Sequence, residues 1–137
     1  MSHFTSIKTK LVSGPHIAKA LKAMGYENVE VFDTPQHMFG FTGSNIKKRA
    51  EIIIRKRDLK IRNALADVGF CKNEEGSYDW IITNEERRRL SENWYDELSQ
   101  RYSYYIVLDS LEKQGFSQVE TERQPDQSIR IVMRRMV

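Results

Sequence analysis

The sequence predicts an α+β fold, in which a largely antiparallel sheet of about six to seven strands carries two helices on one face. Several segments alternate between apolar and polar residues, which is the period of a half-buried strand. Two other segments repeat apolar residues at helical spacing. Most of the predicted strands follow one another directly, and short connections of this kind join antiparallel neighbours.

The first predicted elements are a strand and a helix. Residues 4–11 alternate and predict the strand. Ser13 is a candidate cap, Pro15 suits the first turn of a helix, and Gly25 ends the run of apolar residues at helical spacing. The helix is therefore expected to be about ten residues long.

Two further strands are predicted around residues 29–31 and 50–57. The second of these contains three consecutive isoleucines, a run typical of a strand that is buried on both faces. The segment between the two strands holds Pro35, Gly40 and Gly43, and is predicted to be a loop.

The second half of the chain predicts a hairpin, a long helical segment and a second hairpin. Strands at residues 68–70 and 78–82 flank a five-residue connection, 73–77. A helix begins at the candidate cap Asn84, breaks near residues 91–93 and ends at Gly115. The last two strands, 119–123 and 129–134, are joined by a predicted type I turn at 124–127.

Length and composition predict one domain that spans residues 1–137. Hydrophobic residues make up 39% of the chain, enough for a packed core, and charged residues make up 30%. No apolar run approaches the roughly 20 residues that cross a bilayer, and residues 1–5 do not resemble a signal peptide. We therefore expect a cytoplasmic protein, or a stromal one if it is plastid-encoded, that has no membrane contact.

Several short stretches, taken together, resemble the family called hypothetical chloroplast reading frame 35, or domain of unknown function 1257. The likeness covers nearly the whole chain, and its clearest motifs are residues 1–4, 7–10, 20–26, 40–43, 67–70, 100–102, 114–116 and 128–130. Residues 56–64 are longer and more basic than the family pattern, and a Trp-Gly pair expected near Thr83 is absent. The resemblance implies an accessory component of a larger machine, because members are often encoded beside an AAA-type ATPase.

No catalytic, cofactor or metal site is predicted from the residues. His3, His16 and His37 are dispersed, and no CxxC, HxxxH or HExxH spacing occurs. Cys71, the single cysteine, has only Lys72 beside it to lower the pKa of its thiol, so a reactive thiol is not expected. Pairs of carboxylates fall in turns, helix starts and exposed strand positions, where solvation explains them. We therefore expect a protein that is not an enzyme.

Charge is distributed unevenly along the chain. Residues 1–62 contain 12 Lys and Arg against 5 Asp and Glu, a net charge of +7, whereas the remainder carries −4. If the third and last strands are neighbours, their cations form one basic surface near a glycine turn that could hold an anion. The candidate anion-binding residues are Gly40, Gly43, Lys47, Lys48, Arg49, Arg55, Arg57, Arg130 and Arg134.

The second candidate site is an aromatic protein interface. Tyr78, Trp80, Trp94 and Tyr95 belong to an aromatic set that is generous for a small core, and Tyr and Trp are enriched at protein interfaces. Core packing is the default interpretation of the same residues, because aromatic stripes of this kind are usually buried. The leading hypothesis is an adaptor that binds another protein, with an AAA-type ATPase as a candidate partner. The alternative is weak, sequence-independent binding of nucleic acid or phosphate.

Overall fold

The structure, a computed structural model, describes residues 4–40, 45–123, 125 and 129–135, and describes side chains in 4–40, 48–117, 125 and 134. Seven strands, three α-helices and one 3₁₀ turn lie in this part of the chain. In chain order they are β1 (Phe4–Lys8), α1 (Gly14–Ala23), β2 (Val29–Phe39), β3 (Asn45–Ile54), the 3₁₀ turn (Lys56–Asp58), β4 (Val68–Lys72), β5 (Tyr78–Thr83), α2 (Asn84–Arg89), α3 (Trp94–Lys113), β6 (Phe116–Arg123) and β7 (Ile129–Arg135).

The predicted α+β class and antiparallel pairing are confirmed. Five strands form one sheet in the order β1-β5-β4-β3-β2, and β6 pairs with β7 in a separate two-stranded sheet. Every pair is antiparallel. The seven strands are therefore divided between two sheets, because β6 and β7 pair only with each other among the described residues. The predicted turn at 124–127 lies largely outside those residues.

Both long helices pack on one face of the five-stranded sheet, as predicted. Cross-strand pairing places Ile52 beside Phe70 and Phe70 beside Trp80 on this face. Ile17 and Leu21 of α1 join the same core cluster, as do three residues of α3, Trp94, Leu98 and Tyr102. Burial of these apolar surfaces from two helices and one sheet face is the main driving force for this arrangement.

Two helices on one face, as predicted, would leave the opposite face of the sheet open, but in the structure that face is covered as well. Met38, Ala50, Ile53 and Ile81 form a second buried cluster there. The pairing of β2 with β3 is irregular between Val31 and Gln36 and again between His37 and Phe39, and such irregularities bend a strand pair.

Two contacts show where the far end of the β2–β3 hairpin lies. A Cβ on Gly69 would stand 2.8 Å from the Met38 sulfur, so the hairpin lies directly on β4. Lys48 Nζ on β3 donates to Ser6 Oγ on β1 over 3.1 Å, although β4 and β5 lie between these two strands in the sheet. The hairpin therefore folds across this face.

The segment predicted to be a loop is largely strand. Pro35 lies within β2, at the irregularity where a missing backbone N–H is tolerated. β2 reaches Phe39 and β3 begins at Asn45. Pairing across the hairpin, rather than local propensity, produces this longer structure.

The predicted break in the helical segment is confirmed. α2 ends at Arg89 and α3 begins at Trp94. The cap of α2 is Thr83 rather than the predicted Asn84, since Thr83 Oγ1 accepts a hydrogen bond from the Glu86 N–H at 3.2 Å. The break leaves a corner between the two helices.

Candidate functional site

A groove of about 530 Å³ opens at the corner between α2 and α3. Strand β5 supplies its floor, and the first turn of α3 and the exposed face of α2 supply its walls. We call it the aromatic groove. Its lining residues are Trp80, Asn84, Arg87, Arg88, Leu90, Ser91, Glu92, Trp94 and Tyr95.

The floor of the groove is a stack of aromatic rings. Trp80 stacks on Trp94 with ring centroids 5.4 Å apart and on Tyr95 at the same distance. The indole N–H of Trp94 donates to the Tyr26 hydroxyl over 2.8 Å, and this anchors the stack to the end of α1. The rings are therefore held in place by the core beneath them.

Three of the four residues predicted as an interface belong to that core. Tyr78, Trp80 and Trp94 are only 8%, 6% and 5% exposed. This corrects the prediction that these three residues form a protein interface, because the helices cover the face of β5 that carries Trp80. Tyr95 is half-buried and keeps part of its ring at the surface. Of the predicted set, Tyr95 is therefore the residue a partner can contact most fully.

The three consecutive arginines of α2 differ in their contacts. Arg89 donates to the Asn63 carbonyl over 2.7 Å and lies 3.8 Å from the buried carboxylate of Glu86. Arg87 and Arg88 are exposed and line the groove, and Arg87 stands 5.9 Å from the centre of the Trp80 ring. Among the described residues neither of these two has a carboxylate within ion-pairing distance.

The other rim of the groove is acidic. Glu92 lines it, and Asp96 and Glu97 are exposed in the first turn of α3. Glu97 pairs with Arg101 at 3.4 Å, one turn farther along the helix. The groove therefore presents, on one side, two cations without a carboxylate partner in the described part of the chain and, on the other, the carboxylate of Glu92.

The predicted anion-binding surface is not assembled as expected. Arg55 is turned inward, where its guanidinium pairs with Asp67 at 3.0 Å and Glu30 at 3.2 Å. Its side chain is 16% exposed, so this residue is removed from the candidate set. The register of β3 with β4 brings these charges together, and charge counting along the chain could not show it.

Two more of the candidates are used inside the chain. Lys48 bonds Ser6, and the buried Gly40 accepts a hydrogen bond from Lys56 Nζ at 3.3 Å. Arg49 is exposed and lies 3.4 Å from the His37 ring. These contacts spread the cations of the basic stretch over different neighbours.

The remaining anion candidates are dispersed or undescribed. Arg57 is exposed beside Asp58, and Arg134 is exposed on β7, in a different sheet from β3. Gly43 and the side chains of Lys47 and Arg130 lie outside the part of the chain that the structure describes.

A hydrogen-bonded chain of serine, histidine and aspartate joins α1 to α3. Ser13 Oγ lies 2.6 Å from His16 Nδ1, and His16 Nε2 lies 2.5 Å from Asp109 Oδ2. Because a carboxylate only accepts hydrogen bonds, Nε2 carries a proton and donates a hydrogen bond to Asp109. The bond from His16, with the cations Lys19 and Lys113, lowers the pKa of Asp109.

This chain ties two helices together at the surface, and its residues do not line the aromatic groove. Tyr102 fixes the same corner, since its hydroxyl accepts hydrogen bonds from the N–H groups of Val12 and Ser13 at 3.0 Å each. Sequence reasoning missed the contact because His16 and Asp109 are 93 residues apart.

Other chemistry is sparse in the described residues. Burial, reinforced by the neighbouring Glu51, raises the pKa of the Cys71 thiol to about 11, so the thiol stays protonated near neutral pH. The described ranges contain no group of three or more His, Cys, Asp or Glu side chains placed to hold a metal ion. None of their helices is long and apolar enough to span a membrane.

Comparison with known proteins identifies the family. Residues 20–132 match the family described as "Protein of unknown function (DUF1257)". The chain belongs to this family. It is 32% identical over 137 residues to "Uncharacterized protein ycf35" of Cyanophora paradoxa, and 27% identical over 143 residues to the protein of the same name in Pyropia yezoensis; both alignments cover 98% of each chain. No solved structure matches the chain. Membership of the DUF1257 family confirms the resemblance seen in the sequence.

Proposed function

We propose that this DUF1257 protein is an accessory protein that acts by binding another protein, and that the partner docks in the aromatic groove. The observation that carries the proposal is the groove itself, in which an aromatic floor packed on the core lies beside two arginines that have no carboxylate partner among the described residues. Trp, Tyr and Arg are the residue types that supply most of the binding energy at protein interfaces.

The shape of the site supports binding of a chain segment. The groove is held open by the corner between α2 and α3, and its floor is packed on the core. A partner segment that enters it loses little to rearrangement of the protein, which favours affinity. The half-buried ring of Tyr95 supplies apolar contact area at the surface.

An AAA-type ATPase is the partner class that the family resemblance suggests, and the site of action would be the cytosol, or the stroma for a plastid-encoded member. Nucleic-acid or phosphate binding through the basic stretch has less support. Arg55 is half-buried and paired with Asp67, and Lys48 and Lys56 donate hydrogen bonds to other parts of the chain.

The test is affinity capture from the native organism, in nuclease-treated extract at two salt concentrations, with wild-type protein and two variants. Tyr95→Ala removes the exposed ring of the groove. Tyr104→Ala is the matched control, since Tyr104 is also half-buried on α3 but does not line the groove. We expect a specific protein partner to be lost with Tyr95→Ala and kept with Tyr104→Ala. Equal capture by the wild type and Tyr95→Ala contradicts the proposed site.

A further inference from the structure

We infer that the segment bound in the aromatic groove is a short acidic peptide stretch with apolar neighbours, whose carboxylates are held by Arg87 and Arg88. The inference rests on the proposed function, and it names the chemistry of the partner. It starts from the contrast within α2. Arg89 is committed to Asn63 and Glu86, whereas Arg87 and Arg88 line the groove without a carboxylate of their own among the described residues.

The position of Arg87 prepares it to bind an anion. Its guanidinium stands over the Trp80 ring at 5.9 Å, a cation–π contact that restricts the long side chain. A guanidinium binds a carboxylate through two parallel hydrogen bonds, and such charge-assisted pairs are stronger than neutral ones. Two adjacent arginines can therefore hold one or two carboxylates of a partner.

The remaining residues of the groove determine which partner side chains can lie next to those carboxylates. The half-buried ring of Tyr95, with the small exposed parts of Trp80, Trp94 and Leu90, offers an apolar surface directly beside the arginines. A segment that alternates acidic and apolar side chains satisfies both halves of the site. A fully charged segment would leave the aromatic half without a partner.

The acidic rim disfavours nucleic acid. A nucleic-acid strand carries a negative charge at every nucleotide, and a strand in the groove would meet the Glu92 carboxylate that lines it. Like charges placed close together weaken binding. A peptide can place its few carboxylates at the arginines and neutral atoms at the rim.

Tryptophan fluorescence gives a direct readout of this site. The chain has two tryptophans, and both line the groove. We would titrate the full-length protein with a synthetic ten-residue peptide of alternating Glu and Leu, blocked at both ends. A matched peptide with Gln in place of Glu tests the charge, and oligo-dT and inorganic phosphate test the other anions.

The contribution of the two groove arginines is tested with variants of the protein. Arg87→Gln/Arg88→Gln removes both candidate contacts. Arg57→Gln/Arg62→Gln is the matched control, because it removes two exposed cations that lie outside the groove. We expect the Glu peptide to change the fluorescence saturably and to bind the groove variant at least about tenfold more weakly than the wild type or the control.

The outcomes separate the inference from the proposed function. Equal binding of the Glu and Gln peptides, tighter binding of oligo-dT or phosphate than of the Glu peptide, or equal affinity of the two double variants overturns the acidic-peptide inference. If the Tyr95→Ala variant still loses its captured protein in that case, the proposed docking site stands and only the partner chemistry is wrong. If Tyr95→Ala captures as the wild type does, the docking site itself is wrong.

Discussion

Arg55 and Arg87 each place a guanidinium over an aromatic ring, at 5.6 Å from Phe39 and 5.9 Å from Trp80, yet their surroundings differ completely. Arg55 is half-buried between two carboxylates and donates to the His37 carbonyl over 2.9 Å. Arg87 is exposed and has no carboxylate partner among the described residues. The first charge holds strands together, and the second remains available for a partner.

This comparison shows that a dense run of cations in the sequence does not indicate which cations are exposed and which are paired inside the protein. The stretch 47–62 is the most basic part of the chain, but several of its cations are used inside the protein. The segment 84–97 is mixed in charge, and it contains the two groove-lining arginines without a carboxylate partner. The difference arises because pairing depends on which strands and helices meet.

The largest effect on stability is expected for the ion pair between Arg55 and Asp67. Asp67 accepts hydrogen bonds from the N–H groups of Phe39 and Lys56 and from Arg55, at 2.8, 2.9 and 3.0 Å. Asp67→Ala should lower the free energy of unfolding by about 3–5 kcal/mol, because it removes a buried carboxylate and leaves a half-buried guanidinium and two N–H groups without this acceptor. Urea denaturation measures this. A loss below about 1 kcal/mol would show that Arg55 behaves like a surface charge.

A comparable loss is expected at the floor of the groove. Trp80→Ala removes a side chain that is 6% exposed and stacked on two rings, so the free energy of unfolding should fall by about 3–5 kcal/mol. Thermal denaturation should show a decrease of many degrees in Tm. An unchanged Tm together with lost partner capture would contradict the assignment of Trp80 to the core and would show that it is an interface residue.

An intermediate effect on stability is expected for Asp109, because its pair with His16 is only partly buried. The pKa of Asp109 is lowered below its ordinary value of 3.8 by the hydrogen bond from His16 and by Lys19 and Lys113. The folded state therefore binds this proton less tightly than the unfolded state, and the carboxylate stabilises the fold above about pH 4. That stabilisation is lost as the pH falls through the lowered pKa.

The corresponding measurement compares the wild type with Asp109→Asn by thermal denaturation from pH 6 to pH 2. The wild type should be the more stable protein at the upper end of this range, and the difference should shrink below about pH 4. The neighbours that share this site are His16, Lys19, Lys113 and Tyr105. A difference that is constant over the whole range would mean that the ionised carboxylate contributes nothing.

The smallest effect on stability is expected for the free arginines. Arg87→Gln/Arg88→Gln should change the free energy of unfolding by no more than about 1 kcal/mol, because both side chains are exposed and an exposed cation–π contact such as that of Arg87 with Trp80 contributes about 0.5–1 kcal/mol. Urea denaturation beside the Asp67→Ala variant checks it. A loss as large as that of Asp67→Ala would show that these arginines serve the fold and are not reserved for a partner.

Much of the local structure is predictable from neighbouring residues. Alternation and the five-residue connection located the β4–β5 hairpin, and the polar residues 91–93 located the break between α2 and α3. Periodicity also placed α1 and α3 on one sheet face. These features depend on backbone dihedral preferences and on the spacing of apolar side chains, both of which are written within a few residues.

The tertiary structure alone decided how the charges and rings are used. The sequence by itself determined the α+β class, the order of most elements and the family. It could not show that Arg55 pairs with Asp67, or that Ser13, His16 and Asp109 form one hydrogen-bonded chain. Nor could it show that Trp80 stacks on Tyr95 beside two arginines that have no carboxylate partner in the described part of the chain. Contacts between residues far apart in the chain depend on strand register and on the seating of helices, which are set by packing of the whole core and leave no short-range pattern.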